Sequence, residues 1–104
     1  MRGLLGIIIL VITTAGAVAE DGAQEAYDGC LSVGFDKFKG LCEPADLIGR
    51  AVVFECRPQL NTLMKALSRL DPVDRLDIAD KHEREKVEEI LTRVLEYRLA
   101  HPCK

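Results

Sequence analysis

Apolar residues return at intervals of three and four along most of this chain, so the pattern is helical almost throughout. The strongest case is the stretch from Asp71 to Leu99. Asp71-Pro72 reads as a helix start, because an Asp side chain can accept from first-turn amides and Pro lacks only an N–H that has no helical partner there. Val87, Ile90, Leu91, Val94, Leu95 and Leu99 then share one face, with charged residues between them. Such a helix lies on a core with one side wet. Glu89 and Arg93 stand four apart in the favourable order for an ion pair. Asp77 and Asp80 compete for backbone hydrogen bonds, so the pattern predicts a break between them or a short helix followed by a long one. His101-Pro102 ends the segment.

Three shorter segments precede it. From Gln24 to Phe38, the residues Tyr27, Cys30, Leu31, Phe35 and Phe38 keep helical spacing, after a frayed polar start at Glu20–Gln24. Gly29 and Gly34 each weaken that helix by up to about 1 kcal/mol, unless they admit a neighbouring helix. Lys39-Gly40 supplies a stop. Pro44 to Glu55 carries Leu47, Ile48, Ala51, Val52 and Phe54, although its Val52-Val53-Phe54 run is β-prone. Pro58 opens a third helix whose Leu60, Leu63, Met64, Leu67 and Leu70 form one stripe. The expected fold is all-α, a small bundle of four to five helices.

The first nineteen residues stand apart. Arg2 precedes the apolar run Leu4–Ile12, and Ala17-Val18-Ala19 forms a small-x-small cleavage site before Glu20. The run falls short of the roughly 20 residues that span a bilayer. Residues 1–19 therefore read as a cleaved secretory signal peptide and residues 20–104 as one mature domain, with no stable membrane insertion. Removing them changes the formal net charge from −3 to −4. Mild acidity with both signs interspersed excludes nucleic acid as a partner class and disfavours cationic attack on anionic membranes.

All four cysteines, Cys30, Cys42, Cys56 and Cys103, follow the signal. An even count in a small exported domain reads as two disulfides, and the absence of any C-x-x-C speaks against zinc. If Pro44–Glu55 is a helix, Cys42 and Cys56 lie at its opposite ends, roughly 20 Å apart, too far for a bridge. Two pairings remain. Cys30–Cys56 with Cys42–Cys103 is favoured, since antiparallel helices joined at Gly40 set Cys30 beside Cys56. The alternative is Cys30–Cys42 with Cys56–Cys103.

Catalytic chemistry finds no foothold. Ser32 and Ser68 lack a G-x-S-x-G setting, the cysteines are spoken for, and the carboxylates belong to a solvated helix face. Asp80, His82 and Glu83 are ligand types close in sequence, but residues 80 and 82 point in different directions on a helix. No catalytic residue, metal site or cofactor is expected. No dibasic pair occurs in the mature chain, so release of a small peptide hormone is not supported, and no N-x-S/T sequon occurs.

The composition thus points to a small secreted, extracellular, non-enzymatic protein that binds an extracellular protein target, as venom, salivary or other secreted effectors do. An exposed patch around Arg93, Tyr97 and Arg98 is the expected contact. One alternative is a carrier of a small apolar ligand, with Phe35, Phe38, Phe54 and Met64 lining a cavity between helices. The other is a secreted antimicrobial or defence protein, which the acidic charge and the two histidines disfavour.

Overall fold

A computed structural model describes the backbone of residues 2–67 and 71–103 and the side chains of residues 20–67 and 71–103. Its elements are α1 (Arg2–Phe38), α2 (Ala45–Glu55), α3 (Arg57–Ala66) and α4 (Pro72–Ala100), with no strand among the described residues. The protein is all-α, with its cysteines joined in two disulfides.

The helix starts follow from local chemistry. Asp71 caps α4, its carboxylate accepting from the Asp74 amide at 3.0 Å, and Pro72 occupies the first turn. That hydrogen bond favours the charged form, so the Asp71 pKa is lowered. Pro58 sits in the first turn of α3, and α2 follows Pro44. Between α2 and α3 only Cys56 interrupts the helical run.

Two boundary expectations fail. Glu20–Gln24 is helical rather than frayed, and Ala23 is buried in the core. Gln24 reaches Asp28 one turn on at 3.0 Å, which supports that start. The break expected at Asp77–Asp80 does not occur, and α4 is a single helix of 29 residues. Its aspartates do not compete with the backbone: Asp77 is exposed, and the Asp80 carboxylate is held by Arg84 at 3.1 Å.

The core draws on every helix: Tyr27, Leu31 and Phe35 from α1, Ile48, Val52 and Val53 from α2, Leu60 and Leu63 from α3, and Ile90 and Val94 from α4. The short α2 is central, because it packs against both α1 and α4. On the α1 side a Cβ added at Gly34 would stand 2.8 Å from Val52 Cγ1. On the α4 side a Cβ added at Gly49 would stand 2.8 Å from the Val87 carbonyl oxygen. Gly29 has nothing within 4 Å. Of Gly29 and Gly34, then, Gly34 alone marks a close approach, and Gly49 in α2 marks another.

Double-sided packing decides the β-prone run. Val52 and Val53 are adjacent yet both buried, each facing a different neighbour, and the helix holds. Phe54 is displaced outward, 65% exposed, and Leu47 is exposed as well. Toward the end of α4 the apolar stripe also turns away. Ile90 and Val94 are buried, but Leu95 and Leu99 are exposed. Five residues advance a helix by well over a turn, so Leu95 and Leu99 rotate off the face that Ile90 and Val94 define. The Glu89–Arg93 pair does not form. Glu89 binds Lys86 at 3.0 Å, and the Arg93 guanidinium lies over the Phe35 ring, 4.5 Å from its centroid. Leu67 follows the last turn of α3, and Leu70 lies outside the described residues.

The disulfides fix this packing from two directions. Cys30–Cys56 ties α1 to the α2–α3 junction, and Cys42–Cys103 ties the α1–α2 loop to the chain beyond α4, both with Cα atoms 5.8 Å apart. Since α2 begins near the end of α4 and finishes near Glu83, the two helices run antiparallel.

Candidate interaction face

The side chains expected to form a binding patch are engaged within the chain. Arg98 donates to the backbone carbonyls of Leu41 and Glu43, stitching the end of α4 to the loop before α2. Tyr97 is half-buried, stacks on His101 with ring centroids 4.2 Å apart, and carries the Lys39 ammonium 5.3 Å above its ring. Arg93 is spent on Phe35. This end of the molecule is a clasp.

Asp80, His82 and Glu83 also part company. Asp80 turns to Arg84, Glu83 accepts from Arg57 at 3.0 Å, and the His82 ring lies 5.5 Å from the Tyr27 ring. Among the described residues no group of three metal-ligand side chains converges. Tyr27 is fully buried and its hydroxyl meets no protein partner. Burial first, then the Glu83, Asp28 and Glu89 carboxylates, push its phenol up from 10.0 to about 12. At neutral pH this group stays protonated and apolar in effect, a core residue.

The residues expected to line a ligand cavity are dispersed. Phe35 is packed into the core, Phe38 and Met64 lean against it, and Phe54 faces solvent. They share no cavity among those found in the described residues.

What the helices do form is an open groove of about 700 Å³ between α2 and α4. Leu47, Ala51, Val53, Phe54 and Val87 supply its apolar surface, with Val53 at the buried floor. Leu47, Ala51 and Phe54 fall at i, i+4 and i+7, so one stripe of α2 faces the groove while the opposite side of that helix faces the core. The rim carries Arg50, Arg57 and Arg84 together with Asp80, Glu83 and Glu88. Arg57 bridges the groove at one end, with its guanidinium 5.2 Å from the Phe54 ring centroid while it pairs with Glu83. Beyond the groove, toward its own N-terminus, α4 continues the apolar surface with Val73 and Leu76, 76% and 73% exposed.

An aromatic ring, exposed aliphatic side chains and a rim of arginines make a surface suited to protein contact. Nothing in it supplies a nucleophile with a base and an orienting third group. The sequence places Leu47 and Phe54 within α2, where they lie, and their exposure has a signal of its own: α2 holds more apolar residues than one face of an eleven-residue helix can bury, and Leu47 and Phe54 are seven apart beside Arg50 and Arg57. No protein-family model, no curated protein and no solved structure matches this chain.

Proposed function

We propose that this is a small secreted, non-enzymatic protein that acts by binding another extracellular protein, with the α2–α4 groove as its contact surface. The observation that carries the reading is Phe54, a large apolar ring left 65% exposed above an apolar groove and flanked by arginines. Exposed side chains of this kind clustered on one face are the usual mark of a protein-contact site. Export is supported by the signal-like pattern of residues 1–19 and by two disulfides, which persist in oxidising compartments. Among the described residues no helix is long and apolar enough to cross a membrane. On this reading residues 20–104 act as one domain once residues 1–19 have been removed.

The test uses a photo-crosslinking amino acid in place of Leu47, in the full chain produced by a secreting host and incubated with the extracellular fluid of its source. One principal crosslinked protein is expected, and Phe54→Glu should abolish the adduct while leaving circular dichroism unchanged. Crosslinking that is diffuse, or indifferent to Phe54→Glu, would overturn the assignment.

A further inference from the structure

The face just described carries both halves of a contact. Val73 and Leu76 form a protruding apolar ridge on the first turns of α4, where α2 no longer covers it. The groove that Val87 shares with Phe54 and Leu47 lies farther along the same helix. Leu76 and Val87 are eleven residues apart, about three full turns, so they occupy one side of α4 about 16 Å apart along its axis. A ridge and a groove on one face are what an isologous pair requires, because a two-fold axis between them seats each ridge in the other copy's groove.

The charges agree with that axis. Asp80 and Arg84 lie between ridge and groove, and the midpoint of this pair falls within one residue of the midpoint of Leu76 and Val87. Two copies of α4 laid antiparallel about that point bring Leu76 against Val87 and place Arg84 of the other copy one residue, about 1.5 Å, beyond the position opposite Asp80, which Glu83 takes. The Asp80–Arg84 pair that closes within one chain at 3.1 Å can then exchange partners across the axis. The rim is balanced, with three arginines and three carboxylates, so the face does not repel itself.

We infer that the occupant of this face in the free protein is a second copy of the same chain, in an antiparallel α4–α4 dimer. The inference rests on the contact-surface reading above and adds its regulation. Self-association covers Phe54 and Leu76 where the protein is concentrated, and dilution or a competing target uncovers them. A heterologous target and the second copy compete for one site, so each weakens the other.

The test is sedimentation equilibrium of the disulfide-bonded product recovered from a secreting host, at about 100 μM, where micromolar self-affinity makes the dimer dominant. Twice the chain mass is expected, falling to one chain mass on dilution. Leu76→Glu should reduce self-affinity by tenfold or more with helicity unchanged. Asp80→Arg alone should weaken it, and Asp80→Arg with Arg84→Asp should restore it, a rescue specific to this register. A monomer at that concentration overturns the proposal, as does a dimer indifferent to Leu76→Glu or without charge-swap rescue. A monomer whose crosslinked target is still lost on Phe54→Glu overturns the dimer and leaves the contact surface standing. A monomer whose crosslinking ignores Phe54→Glu removes both.

Discussion

Replacing three helical glycines by alanine, one at a time, separates propensity from packing in this fold. In a helix interior alanine is favoured over glycine by about 0.8–1.0 kcal/mol. Gly29 has nothing within 4 Å of an added Cβ, so Gly29→Ala keeps that gain and should stabilise the protein by about 0.5–1 kcal/mol. At Gly49 the added Cβ would stand 2.8 Å from the Val87 carbonyl oxygen and 3.4 Å from Val87 Cγ1. A backbone oxygen inside α4 cannot swing aside, so α2 must move away by about half an ångström. A gap of that size forfeits about a quarter of the attraction of each contact it opens, and the α2–α4 interface belongs to the core that Ile48 and Ile90 help to form. Overpacking of this kind costs about 1–3 kcal/mol, which outweighs the helical gain. Gly49→Ala should therefore destabilise by about 1–2 kcal/mol. Gly34→Ala falls between, because its 2.8 Å neighbour is Val52 Cγ1, a side chain that can yield slightly but is itself fully buried. The assay is guanidinium unfolding of the oxidised protein followed by far-ultraviolet circular dichroism. If Gly49→Ala proved as stable as the parent, or Gly29→Ala the least stable of the three, the close approach of α2 to α4 would be refuted.

Three other perturbations probe the remaining elements. Removing the exposed bridge with Cys42→Ala and Cys103→Ala should cost about 4 kcal/mol on the chain-entropy model, since the bridge spans 61 residues; under graded reductant, alkylation and mass spectrometry should find it opened before Cys30–Cys56, whose Cys56 is buried. Tyr27→Phe should leave stability unchanged or raise it by up to about 1 kcal/mol, because the deleted hydroxyl is buried without a protein partner. The same phenol is held near 12 when folded and titrates near 10.0 when unfolded, so the parent should lose stability as pH rises through that window and Tyr27→Phe should lose less, as thermal melts from pH 9 to 12 would record. Asp71 has a lowered pKa, so its capping contribution is present above the ordinary carboxylate range and is lost as pH falls through its folded value; melts of the parent and Asp71→Ala should differ at neutral pH and converge in acid.

The sequence made much of this architecture legible, for reasons particular residues illustrate. Helix starts at Asp71-Pro72 and Pro58 are local events, set by one side chain and a neighbouring amide or by a missing N–H, and a linear reading reaches them. Core residues on α1 and α3, such as Tyr27, Phe35, Leu60 and Leu63, each belong to a helix with one inward face, so their spacing suffices. The fit fails where a helix has two packed sides or none. Wedged between α1 and α4, α2 takes adjacent Val52 and Val53 inward and leaves Phe54 outside, which no single-face pattern anticipates. The first turns of α4 extend past α2, so Val73 and Leu76 keep the apolar character of an inward stripe without a cover.

The two failures have one cause, and it also locates the candidate surface. A helix of eleven residues cannot cover a partner of 29, so α2 must leave part of α4 bare, and because it is itself packed on two sides its third side must face water. Where the bare part of α4 meets the wet side of α2, apolar side chains from both helices are left together. For Phe54 and Leu76 a polar replacement would improve solubility and disturb no core contact, since their rings and methyls touch mainly solvent. That they are apolar is unaccounted for by folding alone. The fold needs Val52, Val53, Val87, Ile90 and Val94; Leu47, Phe54, Val73 and Leu76 are exposed and surplus to it, and they are the surface that the proposed contact would use.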